Sequence, residues 1–458
     1  MSERGSPSFA AWKIYLLVVV PATILLNLTF PNFHAPDDYD HVKRAYTLDH
    51  APFRVITPEG RSSGALVDSG LSEYIDAEAP LVKSGAALTS EQRLQLRQNR
   101  SIKWSGKPSF SEMPGALSYF PLLYAPQTAA LEVGRRVGAT VETSVLWARL
   151  ANGFAGIVLA GIGLYFLRGG QAIVLFLLLL PRTLLQFASN SADPILYGLA
   201  LVIVAVGLKT AGSARIRSSA VAAALFVAAA VRPPIAALAL APAVQALRNR
   251  QWLNFALLSA GCGAAAVWML TILPSITEQR CGDLGKVGPK LQTFAFHWPQ
   301  LIGNSFVDRG LYYYVSFIGH YGWGDGRIGM AGAPMPMWLY GTALALFAFA
   351  VWKDLVSPFK LPAILRVSLV LSAAFSLLLT FLAMYVGCTA FGRPVIDGVQ
   401  GRYFVTVLFA LAPAVSGLLS RHSSGNLERP YLTSIAAWSL ASIAVMLINS
   451  AQLYGTLS

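Results

Sequence analysis

The sequence predicts an all-α polytopic membrane protein. It should have about eleven membrane-crossing segments and a large first extracytoplasmic loop with amphipathic and juxtamembrane helices. Three observations predict this class. Of the 458 residues, 55% are hydrophobic and 12% charged, and the mean hydropathy is positive, outside the habit of a soluble domain. Apolar runs of roughly 17–23 residues recur, each long enough for about 30 Å of hydrocarbon and none with the alternation of a barrel strand. The net charge of +13 comes from Lys and Arg in short loops between those runs, which is how cytoplasmic loops are marked and not how a nucleic-acid surface is built.

The first run, 12–30, follows Arg4 and Lys13 and lacks a small-residue cleavage site, so it reads as a retained span that leaves the cytoplasm. Residues 31–144 then form an outer loop with its interfacial helices, inside a single integral membrane domain, 1–458. The loop has a turn-rich stretch at 57–64 and an amphipathic helix near 89–102, opened by a Thr89/Gln92 capping box. The apolar piece 116–133 carries Pro121 and Pro126, each of which breaks a helical ladder. Counted as a span, it would turn Arg168, Lys209, Arg215 and Arg217 outward. Laid along the interface, it leaves these, Arg248, Arg250, Lys353, Lys360, Arg366, Arg421 and Arg429 on the cytoplasmic side.

The spans are then 12–30, 145–167, 171–188, 193–209, 217–231, 233–247, 252–274, 337–353, 364–386, 402–420 and 431–453, with 275–336 as a second large outer loop. The N-terminus is cytoplasmic and the C-terminus outside. No internal repeat stands out, which disfavours an inverted-repeat transporter.

Fixed by charge alone, this topology gathers the unusual polar residues on the outer side. PNFHAPDDYDHVKRAY follows the first span and packs Asp37, Asp38, Asp40 and His41 into five positions. If the residues after Pro36 are helical, Asp37, Asp40, His41 and Arg44 share a face. SNSAD places Asn190 and Asp193 before the fourth span, Arg149 opens the second, and Arg232 precedes Pro233 and Pro234. HYGWGD adds His320, and RPVIDGVQGRYF adds Gln400 and Arg402. Arg182 lies within an apolar run and must face protein or a polar cavity.

Each has a plainer reading. Asp193 before Pro194, and Asp37 after Pro36, stand where helix caps stand. Asp40 can be a solvated helix charge, and Arg402 an interface anchor. His320, Tyr403 and Phe404 fit an aromatic belt or packing. Cys262 falls in a span as a core residue, whereas Cys281 and Cys388 both fall outside, where a disulfide is permitted. There is no P-loop, GxSxG, dinucleotide fingerprint or metal-spaced Cys/His cluster. Asp37 and Asp193 could share a divalent cation only with further ligands.

PDDYDHVKRAY resembles the PDE-x-x-HF-x-RA element of a family of bacterial polytopic membrane proteins catalogued as domain of unknown function 2142. Asp37 matches its Asp, Asp38 its Glu, His41 its His, and Arg44-Ala45 its Arg-Ala. NSAD, HYGWGD (with Gly324 where Leu is usual) and GVQGRYF resemble its later elements in the same order. The layout also resembles the GT-C fold of glycosyltransferases that use polyprenyl-phosphate sugars, including the acidic element of protein O-mannosyltransferases.

That resemblance implies a bacterial inner-membrane enzyme working on the extracytoplasmic face. Its donor would be a polyprenyl-phosphate sugar and its acceptor an envelope glycan, lipid or protein. Asp37 would act as base, with Asp38 and His41 orienting it or the acceptor, and Asp193 as a second acidic contact to acceptor or metal. Arg402, Arg232, Arg149 and Arg182 would serve the phosphate, and Asn190, Gln400 and His320 the substrate. Two alternatives stay open, a flippase of lipid-linked glycans and a non-catalytic subunit of an envelope assembly. The first needs a polar path through the membrane centre, the second indifference to loss of Asp37.

Overall fold

The computed structural model describes residues 11–83, 86–208, 214–279, 286–319, 335–419 and 428–455. The chain enters through α1 (Ala11–Thr29) and turns into α2 (Asp38–His50). Then come β1 (Gly64–Asp68), α3 (Ser69–Lys83), α4 (Ser90–Asn99) and β2 (Pro108–Glu112). β1 and β2 pair antiparallel, Gly64 opposite Glu112 and Asp68 opposite Pro108, so the outer loop is not all-α as expected. β1 is short and buried at every position but Leu66, so it has no alternation to reveal it. Asp68 fixes the crossing by accepting from the N–H groups of Gly70, Ser105 and Gly106. α4 opens with the expected Thr89/Gln92 capping box.

The 116–133 piece breaks into α5 (Pro114–Leu117), a 3-10 turn (Pro121–Tyr124) and α6 (Ala125–Arg136). At a rise of about 1.5 Å per residue none of these crosses a bilayer. Pro121 and Pro126 open new pieces at positions where a missing N–H costs nothing.

α7 (Val141–Phe166) is long and capped by Thr140. The expected span 171–188 is two helices, α8 (Gln171–Leu178) and α9 (Pro181–Phe187), because Pro181 cannot continue the ladder of α8. α10 (Asp193–Gly207) and α11 (Ala214–Ala229) follow. The segment expected at 233–247 is half 3-10 turn (Pro233–Ala239) and half α12 (Leu240–Arg248). α13 (Trp252–Ile272) comes next.

The segment expected as a second outer loop, 275–336, holds α14 (Val287–Ile318), a 32-residue helix. Mixed polar and apolar composition hid it from a search for apolar runs. α15 (Met337–Leu355), α16 (Ala363–Cys388), α17 (Phe404–Val415) and α18 (Glu428–Tyr454) complete the chain; α17 stops short of the expected 402–420.

The fold is mostly helical, and five helices are long and apolar enough to cross a membrane: Ala11–Thr29, Val141–Phe166, Trp252–Ser275, Ala363–Cys388 and Glu428–Tyr454. The remaining apolar segments are shorter or interrupted, so long helices alone do not reach the expected number.

Helices α7 and α10 pack almost backbone to backbone. A Cβ on Gly156 would come within 2.5 Å of the Pro194 carbonyl; α9 is as close, since one on Gly153 would come within 2.1 Å of Phe187 O. Small residues allow this approach in an apolar bundle, and it sets the height of Asp193.

The two ends of the bundle differ in charge. At one end Arg168, Arg217 and Lys360 line one cavity, and Arg366 donates to Ser416 O. At the other, Ser450 Oγ donates to Thr29 O, so α18 ends beside the end of α1 and under the outer loop. Lys209, Arg421 and the Arg215 side chain lie outside what is described.

Candidate active site

The site is built where α1, α9, α10 and α17 meet the outer loop. After α1 the chain turns through Asp37, which has φ +64°, a left-handed conformation that Asp tolerates better than most residues. Its side chain caps nothing and is exposed, so the cap reading is corrected. Asp37 stands close enough to His41, Tyr119 and Arg402 to act on all three electrostatically.

Asp38, by contrast, is fully buried, and no side chain donates to either carboxylate oxygen. Burial pushes it up to about 7, against the pull of Arg149 and Arg402. Asn190 is equally buried and its side-chain amide is unpartnered. An amide left without partners in the interior is costly, and such a group marks a place completed by water or ligand.

His41 shares a 2.6 Å hydrogen bond with the Tyr124 hydroxyl and packs against Tyr119. Burial lowers it to about 4, so at neutral pH it is an uncharged hydrogen-bonding group. Asp40 is not a solvated charge. It is buried and pairs with Lys43 at 3.7 Å. Arg44 is structural, donating to Tyr119 O and Pro52 O and so tying α2 to the outer loop.

Opposite α2, Asp193 begins α10 without capping it. Its carboxylate accepts from Arg232 at 2.7 Å and faces Arg402 at 3.4 Å. The Tyr403 ring lies against both guanidiniums, 4.7 Å from Arg232 and 5.4 Å from Arg402. With its amide nitrogen donating to Ser191 Oγ, Gln186 turns its oxygen to Arg182 Nη2 at 3.1 Å and Arg402 Nη1 at 3.2 Å. Arg182, buried as expected, thus belongs to the same cluster. Arg402 Nε and Arg232 Nη1 are buried and unpartnered. Gly401 makes room for this, since a Cβ there would sit 2.2 Å from Tyr313 O.

The loop carrying Asn190 is clamped from below. Arg149 donates to Ala188 O, Phe30 O and Asn32 Oδ1, while Asn152 donates to Ser189 O and Ser191 O. Gln127 donates to Asn190 O. Arg149 therefore spends its donors on the protein, and its candidacy as a phosphate ligand is corrected to that of a brace.

The structure brings together Asp37, Asp38, His41, Asn190, Asp193, Arg182, Arg232 and Arg402. Gln400 is only half-buried. His320 and the rest of HYGWGD lie outside the described residues, as does Cys281, so the Cys281–Cys388 pairing does too. A cation at Asp193 would compete with two guanidiniums. No group of three or more His, Cys, Asp or Glu side chains converges among the described residues. Among the described residues, therefore, the oxygen ligands that a divalent cation takes do not gather here.

Sequence reasoning missed Gln186, Tyr403, Tyr124 and Asn152. Gln186 was detectable as a second polar side chain one helical turn after Arg182 in an apolar run. Tyr403 was assigned to the interface belt, as was Phe404, which does pack in an aromatic group with Phe306, Tyr313 and Phe381.

Fold and composition define a multi-pass membrane protein with a polar site at one end of the bundle. The profile of a family described as "Predicted membrane protein (DUF2142)" matches residues 22–411, and the chain belongs to that family. No curated protein matches the sequence. Two crystal structures of ArnT from Cupriavidus metallidurans are similar to it at low identity. The one in the apo state is 16% identical with a TM-score of 0.40, covering 97% of this chain and 77% of that one. The one bound to undecaprenyl phosphate is 14% identical with a TM-score of 0.45, covering 98% and 78%.

Proposed function

We propose that this chain is a membrane glycosyltransferase of GT-C type. It would move a sugar from a polyprenyl-phosphate donor to an envelope glycan, lipid or protein on the extracytoplasmic face. One observation carries the reading: Arg182, Arg232 and Arg402 gather around a single carboxylate, Asp193, within reach of the exposed Asp37. Arg232 and Arg402 each keep a buried N–H with no partner beyond Asp193, at the end of an apolar bundle, which suits a lipid-borne phosphate.

Support also comes from an apolar groove of about 530 Å³ among the 3-10 turn after Arg232, α12, α13 and α16, whose Ala, Leu and Phe side chains offer an isoprenoid tail an apolar surface. The topology that goes with this reading has about eleven crossings, with the segments 171–188 and 233–247 interrupted by proline. The parts 31–144 and 275–336 form its outer face.

In the reaction, the acceptor hydroxyl oxygen bonds to the anomeric carbon as the bond from that carbon to the phosphate oxygen breaks. The hydroxyl proton passes to Asp37, and the departing electron pair stays on the lipid phosphate, held by Arg232 and Arg402. His41, neutral, and Asp38, ionising near neutrality, orient the acceptor. The flippase alternative loses its main residue, because Arg182 belongs to this cluster and does not stand alone at mid-span. The experiment is purified protein incubated with polyprenyl-phosphate sugars and assayed for released polyprenyl phosphate. Turnover that falls by at least about a hundredfold in Asp37→Asn supports the reading; equal turnover removes Asp37 from the chemistry.

A further inference from the structure

The end of the bundle away from this site carries a second cavity, of about 320 Å³. Arg168, Arg217 and Lys360 line it, and no residue of its wall is acidic. The rest of the wall is largely apolar, including Phe166, Leu361 and Leu365.

Held backbone frames the cavity. A Cβ on Gly169 would sit 2.3 Å from the Phe359 ring, and Gly170, at φ +80°, abuts the Ala412 carbonyl. The nearby acid, Asp354, is committed elsewhere: its carboxylate accepts from the N–H groups of Ala172 and Ile173 at the start of α8. Arg168 and Lys360 therefore face the cavity with no carboxylate among the described residues that line it.

Topological marking explains basic residues in a loop, but it requires neither a cavity nor an apolar wall. We propose that the cavity binds the phosphate of an anionic phospholipid headgroup from the leaflet at this end. Two arginines and a lysine suit the phosphate, and the apolar wall suits the start of the acyl chains. The volume lies at the lower end of ordinary ligand sites, which fits a headgroup and not a whole lipid. Free phosphate is also anionic but would leave the apolar wall wet. The site goes beyond the transferase reading and stands or falls without it.

The test uses the full chain, purified and stripped of lipid, then exposed to phosphatidylcholine, phosphatidylglycerol or inorganic phosphate. Native mass spectrometry reads the retained lipid and a thermal scan the melting midpoint. Wild type should retain phosphatidylglycerol over phosphatidylcholine and melt higher with it, while inorganic phosphate changes nothing. Arg168→Gln with Lys360→Gln should weaken phosphatidylglycerol retention by roughly 10- to 30-fold, at about 1 kcal/mol per cation. Arg168→Lys with Lys360→Arg should keep it, as should Arg248→Gln, which lies outside the cavity lining. Equal retention in wild type and the double Gln variant would overturn the proposal. So would a midpoint shift from inorganic phosphate as large as that from the lipid.

Discussion

Asp193 is the only carboxylate in direct contact with Arg232 and Arg402 among the described residues, and both guanidiniums are largely buried. Replacing it with Asn keeps the shape but leaves two buried charges without their counterion, at a cost of about 3–5 kcal/mol. Asp193→Asn should therefore melt well below wild type and lose transfer activity. Added polyprenyl phosphate should raise its midpoint more than that of wild type, because ligand charge replaces the missing carboxylate; an identical rise in both would separate the arginines from phosphate binding.

Asp38 and His41 make a matched test by pH. Asp38 ionises near 7 when folded against 3.8 unfolded, so the folded chain keeps a proton the unfolded one has lost, and stability falls as pH rises from about 4 to 7. His41 ionises near 4 against 6.5, so the unfolded chain holds the extra proton, and stability rises over nearly the same window. Each contribution is on the order of 3–4 kcal/mol, and the two largely cancel in wild type. Asp38→Asn should expose the rising limb and His41→Gln the falling one in thermal scans from pH 4 to 7. Parallel profiles in all three proteins would show that neither group titrates as its burial implies.

At the scale of elements, the site depends on how closely α7 meets its neighbours. Gly156 lets Pro194, and so Asp193, sit one atom's width from the α7 backbone. Gly156→Val must push the start of α10 away, and the 2.7 Å pair with Arg232 should lengthen with it. We expect several degrees lost in midpoint and a large loss of turnover, whereas Gly263→Val, on the open side of α13, should be near neutral. Equal effects at both positions would show that this seam does not position the site.

The same elements show which parts of the fold were legible in the sequence. Apolar length and basic loops revealed α1, α7, α13, α16 and α18, because a bilayer demands both. The α8–α9 break was foreshadowed by Pro181, yet an uninterrupted apolar run overrode it. The β1–β2 pair and α14 stayed hidden, the one for want of length and the other because its face is set by tertiary packing. Within the site, charges in an apolar chain were conspicuous, so Asp38, Asp193, Arg232 and Arg402 were legible. Gln186 and Tyr124 were not, since an amide or a phenol in an apolar stretch is ordinary until its partner is known.

Over the whole molecule, the decisive quantity is which end of the bundle faces which compartment. Two polar regions lie at its opposite ends, and α10 joins them, beginning at Asp193 and ending at Gly207, about 22 Å further on at 1.5 Å per residue. The basic end holds Arg168, Arg217 and Lys360, so the bias that places Lys and Arg in the cytoplasm orients the entire bundle at once. Phe53, exposed in the outer loop, must then face the other compartment. In a background with Cys262, Cys281 and Cys388 replaced, single cysteines at Phe53→Cys and Lys360→Cys give opposite predictions. A membrane-impermeant maleimide applied to intact cells should label the first and not the second, and both after permeabilisation. Labelling of Lys360→Cys in intact cells would invert the bundle and put the arginine cluster in the cytoplasm, where nucleotide sugars rather than lipid-linked ones would be the donors at hand. The orientation therefore decides the substrate class before any enzyme assay does, and it does so through residues remote from the site.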